Sequence, residues 1–363
     1  MNPRLHTSFC DLVGVRTPIV QTGMGWVAGP SLVSASANAG ALGILASATM
    51  DFTQLRESVA EVKSRTDKPF GVNLRADSAD VGERIKLLID ENVRVASFAQ
   101  APKQKLIDQL HDAGVLVIPS IGAKRHAEKV LEWGVDAVLV QGGEGGGHTG
   151  SVPTSILLPQ VVDAVQGRVP VIAAGGFKDG RGLVAALAWG ADAIAMGTRF
   201  LLTSDSSVPD SVKQIYLGKA VTDTVVSTRV DGVPHRVLRT ELVDQLESGS
   251  GKLTALPKAL INAQKFKGMT GLSYKQMWDE GNAMRKAMGL SPVQMIMAAN
   301  TPMLLKAGLV DGNTDSGVLA SGQVVGVIDD LPTCQELIDR IIDEADQALR
   351  GLVAEGSPHE ETA

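Results

Sequence analysis

Residues 170–200 read PVIAAGGFKDGRGLVAALAWGADAIAMGTRF. Two apolar runs, 170–176 and 193–200, bracket a segment of one helix's length, and glycine stands near the end of each. Neither run alternates apolar with polar residues. Each therefore predicts a strand buried on both faces, as in a parallel sheet. The triplets Ala174-Gly175-Gly176 and Met196-Gly197-Thr198 stand 22 residues apart, one strand–helix unit. Glycine N–H groups and a helix N-terminus supply an anion pocket, and in (β/α)8 barrels the loops after the seventh and eighth strands commonly form a phosphate site. The competing reading is that these glycines only allow tight strand–helix turns.

Six earlier runs have the same character: 18–23 (PIVQTG), 41–46 (ALGILA), 70–75 (FGVNLR), 93–99 (VRVASFA), 115–121 (VLVIPSI) and 137–143 (AVLVQGG). Segments of helical period lie between them, among them 53–62, 81–90 and 124–133. Strands alternating with helices imply an α/β fold, and eight units in the first 200 residues predict a (β/α)8 TIM barrel. A doubly wound open sheet is the runner-up, but it calls for a glycine fingerprint after the first strand. Here the glycine-rich loops follow the first, sixth, seventh and eighth runs, which favours a closed ring with one mouth.

Beyond Phe200 the pattern stops. Residues 213–290 read as a smaller, mostly helical inserted domain with 12 Lys/Arg against 7 Asp/Glu, a basic segment on a chain whose formal net charge is -6. The expected organisation is a barrel from 1–212 and 291–355, an insertion at 213–290 serving as substrate lid, and a disordered tail at 356–363. A helix is expected over 291–310, and 316–328 returns to glycine-rich sequence.

The sixth run opens into Gln141-Gly142-Gly143-Glu144-Gly145-Gly146-Gly147-His148, with five glycines in six residues. Glycine carries the largest backbone entropy cost, so this density makes sense where backbone N–H groups must approach a ligand closely. A flexible surface loop is the competing reading. At the lip stands His148, a side chain that transfers protons near neutral pH, and it is the expected acid or base. In the first loop, Gly23 lets the backbone approach a planar ligand and Met24 is placed to lie over one face. Asn73 ends the third strand, suited to bond a ring edge. Lys124 flanks the fifth, suited to a phosphate or a ring oxygen, though a lone lysine is as well read as a solvated group. In the insertion, Arg229, Arg236 and Arg239 fall within eleven residues around Pro234. Their forks match phosphate oxygens. His235 among them is a candidate substrate contact.

Aromatic content of 4% and the negative charge argue against nucleic-acid binding. Two cysteines, Cys10 and Cys334, exclude a disulfide framework and any four-cysteine site within the chain. No pair of histidines shows metal-ligand spacing with a carboxylate, so no metal is expected. No run approaches about 18 apolar residues and the N-terminus has no apolar h-region, so no membrane partner and no signal peptide are expected. The expectation is a cytoplasmic enzyme, with a homo-oligomer left open. A phosphosugar isomerase or aldolase would want a Schiff-base lysine or a carboxylate base at the mouth, and an inosine-phosphate-type dehydrogenase a loop cysteine. Neither pattern is evident.

The segments GMGWVAG, GVNLR, QGGEGGGHTG, PVIAAGG and AMGTRF, in this order and spacing, resemble the nitronate monooxygenase (2-nitropropane dioxygenase-like) flavoenzymes. Flavin-type enoyl-acyl-carrier-protein reductases belong to the same superfamily. The resemblance covers about 20–330 and implies non-covalent FMN. It implies that Gly23, Met24, Asn73, Lys124, Gln141, Gly142, Gly143, Gly147, Ala174, Gly175, Gly176, Met196, Gly197 and Thr198 form the FMN site. Gly322 and Gln323 match a late Gly-Gln motif near the flavin, and His148 matches the catalytic histidine. Many monooxygenases carry Ala-Pro-Met where this chain has Thr22-Gly23-Met24. The stretches QTGMGWVAG, VVSTRVDG, PHRVLRTELV and AANTPMLLKAGLVDGN are similar to actinobacterial oxidoreductases of steroid C/D-ring catabolism. That second resemblance implies a CoA thioester of a steroid-derived ring acid as substrate, with NADH or NADPH as a candidate electron donor. Nitronate oxidation with oxygen is the alternative function.

Overall fold

The computed structural model describes residues 2–248 and 292–353. All eight apolar runs are strands: β1 (Ile19–Gln21), β2 (Leu42–Ala46), β3 (Phe70–Leu74), β4 (Val95–Phe98), β5 (Leu116–Ile121), β6 (Val138–Gln141), β8 (Val171–Ala174) and β9 (Ala193–Met196). They close a parallel barrel in that order, with Ile19–Gln21 in register against Ile194–Met196. The missing number, β7 (Gly147–His148), lies in the glycine loop. It joins β10 (Thr224–Ser227) and β11 (His235–Leu238) in a three-stranded antiparallel sheet of order β10-β11-β7.

The apolar runs are continuous because they serve two cores. Along β5, Leu116 and Ile118 belong to an inner cluster with Val20, Ile44, Leu139 and Ile172, whereas Val117 and Ile121 pack with the outer cluster. Three of the four inner positions on β8 and β9 are alanines, Ala174, Ala193 and Ala195, beside Ile172. The outer layer comes from α2 (Pro30–Asn38), α3 (Phe52–Arg65), α4 (Val81–Asp90), α5 (Gln104–His111), α6 (Lys124–Glu132), α7 (Thr154–Val165) and α8 (Gly180–Ala188). Aspartate marks two helix starts: Asp51 and Gln54 form a reciprocal capping box on α3, and Asp179 accepts from Gly182 N–H on α8.

Before the barrel, α1 (Ser8–Val13) plugs the N-terminal end of the ring. Phe9 and Val13 join the inner cluster, while Ser8 Oγ donates to Asp192 and Arg94 donates to the Leu12 carbonyl. With that end stoppered, the open mouth is the C-terminal end of the strands, where barrel active sites form. The chain after β9 makes α9 (Thr198–Leu201), α10 (Asp210–Leu217), the hairpin β10–β11 and α11 (Glu241–Ser248). It then returns through α12 (Pro292–Leu309) and α13 (Cys334–Val353). Helix α13 packs on α8 and α2 and so completes the outer ring. Gly180 permits this contact, since an added Cβ would stand 2.2 Å from Ala345 N.

The described part of the insertion, 213–248, is mixed rather than mostly helical: between α10 and α11 it forms the hairpin, whose strands are four residues each. The remainder of the segment, 249–290, and the tail 356–363 lie outside the described residues. Among the described residues no helix is long and apolar enough to cross a membrane.

Candidate functional site

The barrel mouth gathers the glycine loops pairwise. Gly23 passes Asn73 so closely that an added Cβ would lie 2.6 Å from the Asn73 Cβ. Met24 reaches the eighth barrel strand's loop, where a Cβ on Gly197 would meet Met24 Sδ at 3.3 Å. Thr198 Oγ1 accepts the Gly322 N–H at 2.9 Å, and Gln323 N–H donates to the Glu144 carbonyl at 3.0 Å. A Cβ on Gly146 would stand 2.5 Å from Gly322 N, so the glycine loop and the late Gly-Gln segment cross in direct contact. Gly175 and Gly176 adopt φ of +104° and +84°, open to glycine and costly for side chains. Among the described residues, no acceptor takes the N–H groups of Gly176 or Gly197. Ala174 and Met196 end their strands and offer carbonyls to Gly142 and Thr22 N–H.

The glycines of the sixth loop have different tasks. Gly142 is pressed on the start of α7, where a Cβ would stand 2.0 Å from Thr154 Oγ1. Gly147 has φ +73° and open space around it. Gln141 lies beneath the loop and donates from Nε2 to the His148 carbonyl at 2.8 Å. Glu144 turns inward: its carboxylate accepts Thr154 N–H at 2.9 Å and Thr154 Oγ1–H at 2.7 Å. The N-terminus of α7 thus already holds an internal anion. Lys124 is the first residue of α6, half-exposed, with its Nζ 3.6 Å from Glu128 Oε1.

Strand pairing builds the chemical centre. β11 sets His235 opposite His148, and both rings bond one oxygen of Asp231. His148 Nε2 lies 2.6 Å and His235 Nδ1 3.0 Å from Asp231 Oδ2, while Oδ1 accepts Val233 N–H at 3.2 Å. The Asp231 and His235 side chains are 3% exposed and that of His148 62%. Burial pushes the Asp231 carboxyl up, but the hydrogen bonds from His148 and His235 outweigh it and hold the group well below the usual carboxylate range. An ionised carboxylate only accepts, so both rings donate to it: His148 carries its proton on Nε2 and His235 on Nδ1. His148 Nδ1 is left with a lone pair at an exposed position. His235 Nε2 is buried without a partner. The three side chains bring ligand atoms within 4.8 Å of one another, a donor set suited to a divalent transition metal.

The arginines divide. Arg236 donates to the Gly143 carbonyl at 2.8 Å and to Thr224 Oγ1 at 3.0 Å, bracing the hairpin on the glycine loop. Burial pulls its pKa down, against the field of Glu144. Arg229 is exposed, and Arg239 forms a surface pair with Asp244 at 2.8 Å. Cys10 and Cys334 are buried away from the mouth, in α1 and at the start of α13. Asp231 and the inward role of Glu144 escaped the sequence reading. The spacing of Asp231 four residues before His235, across a Gly and a Pro, was the available signal for the first.

A family model described as nitronate monooxygenase matches residues 6–88 and 81–344. The chain is 62% identical over 350 residues, 96% of this chain and 98% of the relative, to a Rhodococcus jostii protein named (3aS,4S,5R,7aS)-5-hydroxy-7a-methyl-1-oxo-octahydro-1H-indene-4-carboxyl-CoA dehydrogenase. A Mycobacterium tuberculosis protein of the same name is 63% identical, over 94% of this chain and 96% of the relative. Among solved structures, FabK from Thermotoga maritima superposes with a TM-score of 0.77 at 32% identity, covering 96% of this chain and 98% of that chain.

Proposed function

This chain belongs to the nitronate monooxygenase family, and from that premise we propose that it is an FMN-dependent dehydrogenase of a hydroxylated ring-acid CoA thioester. The observation that carries the reading is the 62% and 63% identity, over nearly the full chain, to two relatives named for that activity. In the substrate of those relatives' name, the hydroxyl-bearing carbon neighbours the carbon that holds the thioester. Dehydrogenation of such a thioester removes a hydride and a proton from it. Bound FMN supplies the hydride acceptor.

The residues present fit that group on two observations. Gly176 would be filled by a Cβ that meets nothing nearer than 3.8 Å, which leaves a cradle before its free N–H. Gln21 Oε1 is buried at the end of β1 without a partner. Gly175, Gly176, Gly197 and Thr198 would hold the phosphate, since Glu144 already occupies the start of α7. Gly23, Met24, Asn73 and Gly322 would border the ring.

His148 Nδ1 accepts the proton that the substrate releases. Asp231 holds the ring in that tautomer and balances the positive charge that forms. Gln141 and Arg236 position the loop, through the His148 and Gly143 carbonyls. Arg229 and Arg239, exposed on the hairpin and its flank, are the cations placed for CoA phosphates. NADH or NADPH is the candidate electron partner of the flavin.

The test is anaerobic mixing of the purified holoenzyme with the hydroxy-indane carboxyl-CoA thioester, a nitronate, NADH and NADPH in separate runs. Loss of the visible flavin absorbance with the thioester is expected. Loss with the nitronate alone would replace this reading by nitronate oxidation. Acid precipitation should release FMN, and recovery of FAD or of no flavin would refute the cofactor.

A further inference from the structure

We propose that His148, Asp231 and His235 form an exchangeable site for a divalent transition-metal ion, with Zn2+ as the test case, and that its occupancy turns off the base at His148. Two imidazoles and one carboxylate are the ligand set such ions take, whereas Mg2+ and Ca2+ want oxygen ligands. The ligand atoms already lie within 4.8 Å of one another.

Two of the three ligands are preformed. Asp231 and His235 are 3% exposed, and Val233 N–H fixes the carboxylate through Oδ1. Their Oδ2 and Nδ1 stand 3.0 Å apart, close to the roughly 3.3 Å that ligands at about 2.0–2.1 Å from a tetrahedral ion require. His148 Nε2, at 2.6 Å from Oδ2, must draw away from that oxygen by about 0.7 Å by the same geometry. It is free to do so, because it is exposed and follows Gly146 and Gly147. The exposed side leaves a fourth position for water.

Coordination rearranges protons without losing any. Each neutral ring keeps its single proton, but a metal on His148 Nε2 moves that proton to Nδ1. The lone pair that would take the substrate proton is then gone. On His235 the proton moves to Nε2, which is buried without a partner. Metal-bound histidines normally donate their other N–H to an acceptor. Its lack here weakens the site, which therefore exchanges its ion rather than keeping a resident one.

The binding half of the proposal stands on geometry alone; the switching half rests on the reading of His148 as the base. The holoenzyme, stripped with chelator, is equilibrated by dialysis against ZnCl2 and bound zinc is measured per chain. One saturable ion per chain is expected. His235→Leu and Asp231→Asn should weaken binding by more than about 100-fold, beyond the 10–100-fold typical of losing an outer-shell partner. His235→Cys, which restores a ligand without the ring, should retain it. Flavin content and circular dichroism report whether each variant folds. Zinc should inhibit thioester oxidation in step with occupancy, and chelator should restore the rate. Absence of saturable binding, or binding unchanged in both ligand variants, means an adventitious ion only and overturns the site. Saturable binding without inhibition overturns the switch and the base role of His148 while leaving the flavin and substrate assignment standing.

Discussion

Replacing Asp231 by Asn tests the centre of the proposed chemistry. The carboxylate accepts three hydrogen bonds, from His148, His235 and Val233. An amide cannot reproduce them. With its NH2 group at Oδ1 it faces the Val233 N–H, and with NH2 at Oδ2 it faces two ring N–H groups. The bond to His235 joins two buried groups and contributes about 1.5–3 kcal/mol as a charged hydrogen bond. The bond to His148, whose side chain is 62% exposed, is discounted to about 0–1 kcal/mol. Removing a buried charge offsets part of the sum, so the expected loss is about 1–3 kcal/mol. For 363 residues at about 2.1 cal/mol/K each, that is a fall of about 1–4 °C in Tm. Turnover should fall much further, by about 10²–10⁴-fold, because the tautomer that exposes Nδ1 is no longer enforced. Flavin content should not change. The stability difference should also depend on pH. A carboxyl held below its unfolded value contributes stability that is full above about pH 4 and is lost as pH falls further. The gap between wild type and variant in urea midpoints should therefore narrow below about pH 4. Turnover within about threefold of wild type, against the range expected of an acid–base group, would refute the role of Asp231. So would a stability gap that does not respond to acid.

His148→Ala should keep FMN and lose about 10²–10⁴-fold in turnover; an unchanged rate would make the ring structural. Gly146→Ala places a Cβ 2.5 Å from Gly322 N, and the overpacking should cost about 1–3 kcal/mol and lower flavin retention, read by unfolding and by flavin-to-protein ratio. Burial raises the Cys10 thiol and pushes Cys334 up to about 12, so neither should react with a disulfide reagent at pH 8 until the chain is unfolded, when two thiols appear. Arg239→Ala should raise the KM for the CoA thioester at low salt and leave flavin content intact; Arg239 is exposed, so the effect should be under about 1 kcal/mol and vanish at high salt.

Local pattern was enough for the barrel. Each strand is a short apolar run that must face two cores, and that demand is written into consecutive residues such as 116–118 and 193–196. The glycine run before His148 and the glycines at 175 and 176 were legible for the same reason: close approach or positive φ disfavours side chains there whatever the partner is. The centre around His148 was not legible. Its carboxylate comes from 83 residues away and arrives only because β11 pairs with β7, a strand of two residues inside a glycine run that carries no periodicity of its own. The same pairing buries His235 and commits Arg236 to the Gly143 carbonyl, where charge counting offered it as a free phosphate ligand. Sequence determines which residues can be buried and which turns can close, because those costs are local. Which donor meets which acceptor is settled by register between distant elements, and for Asp231 only the tertiary structure supplies it.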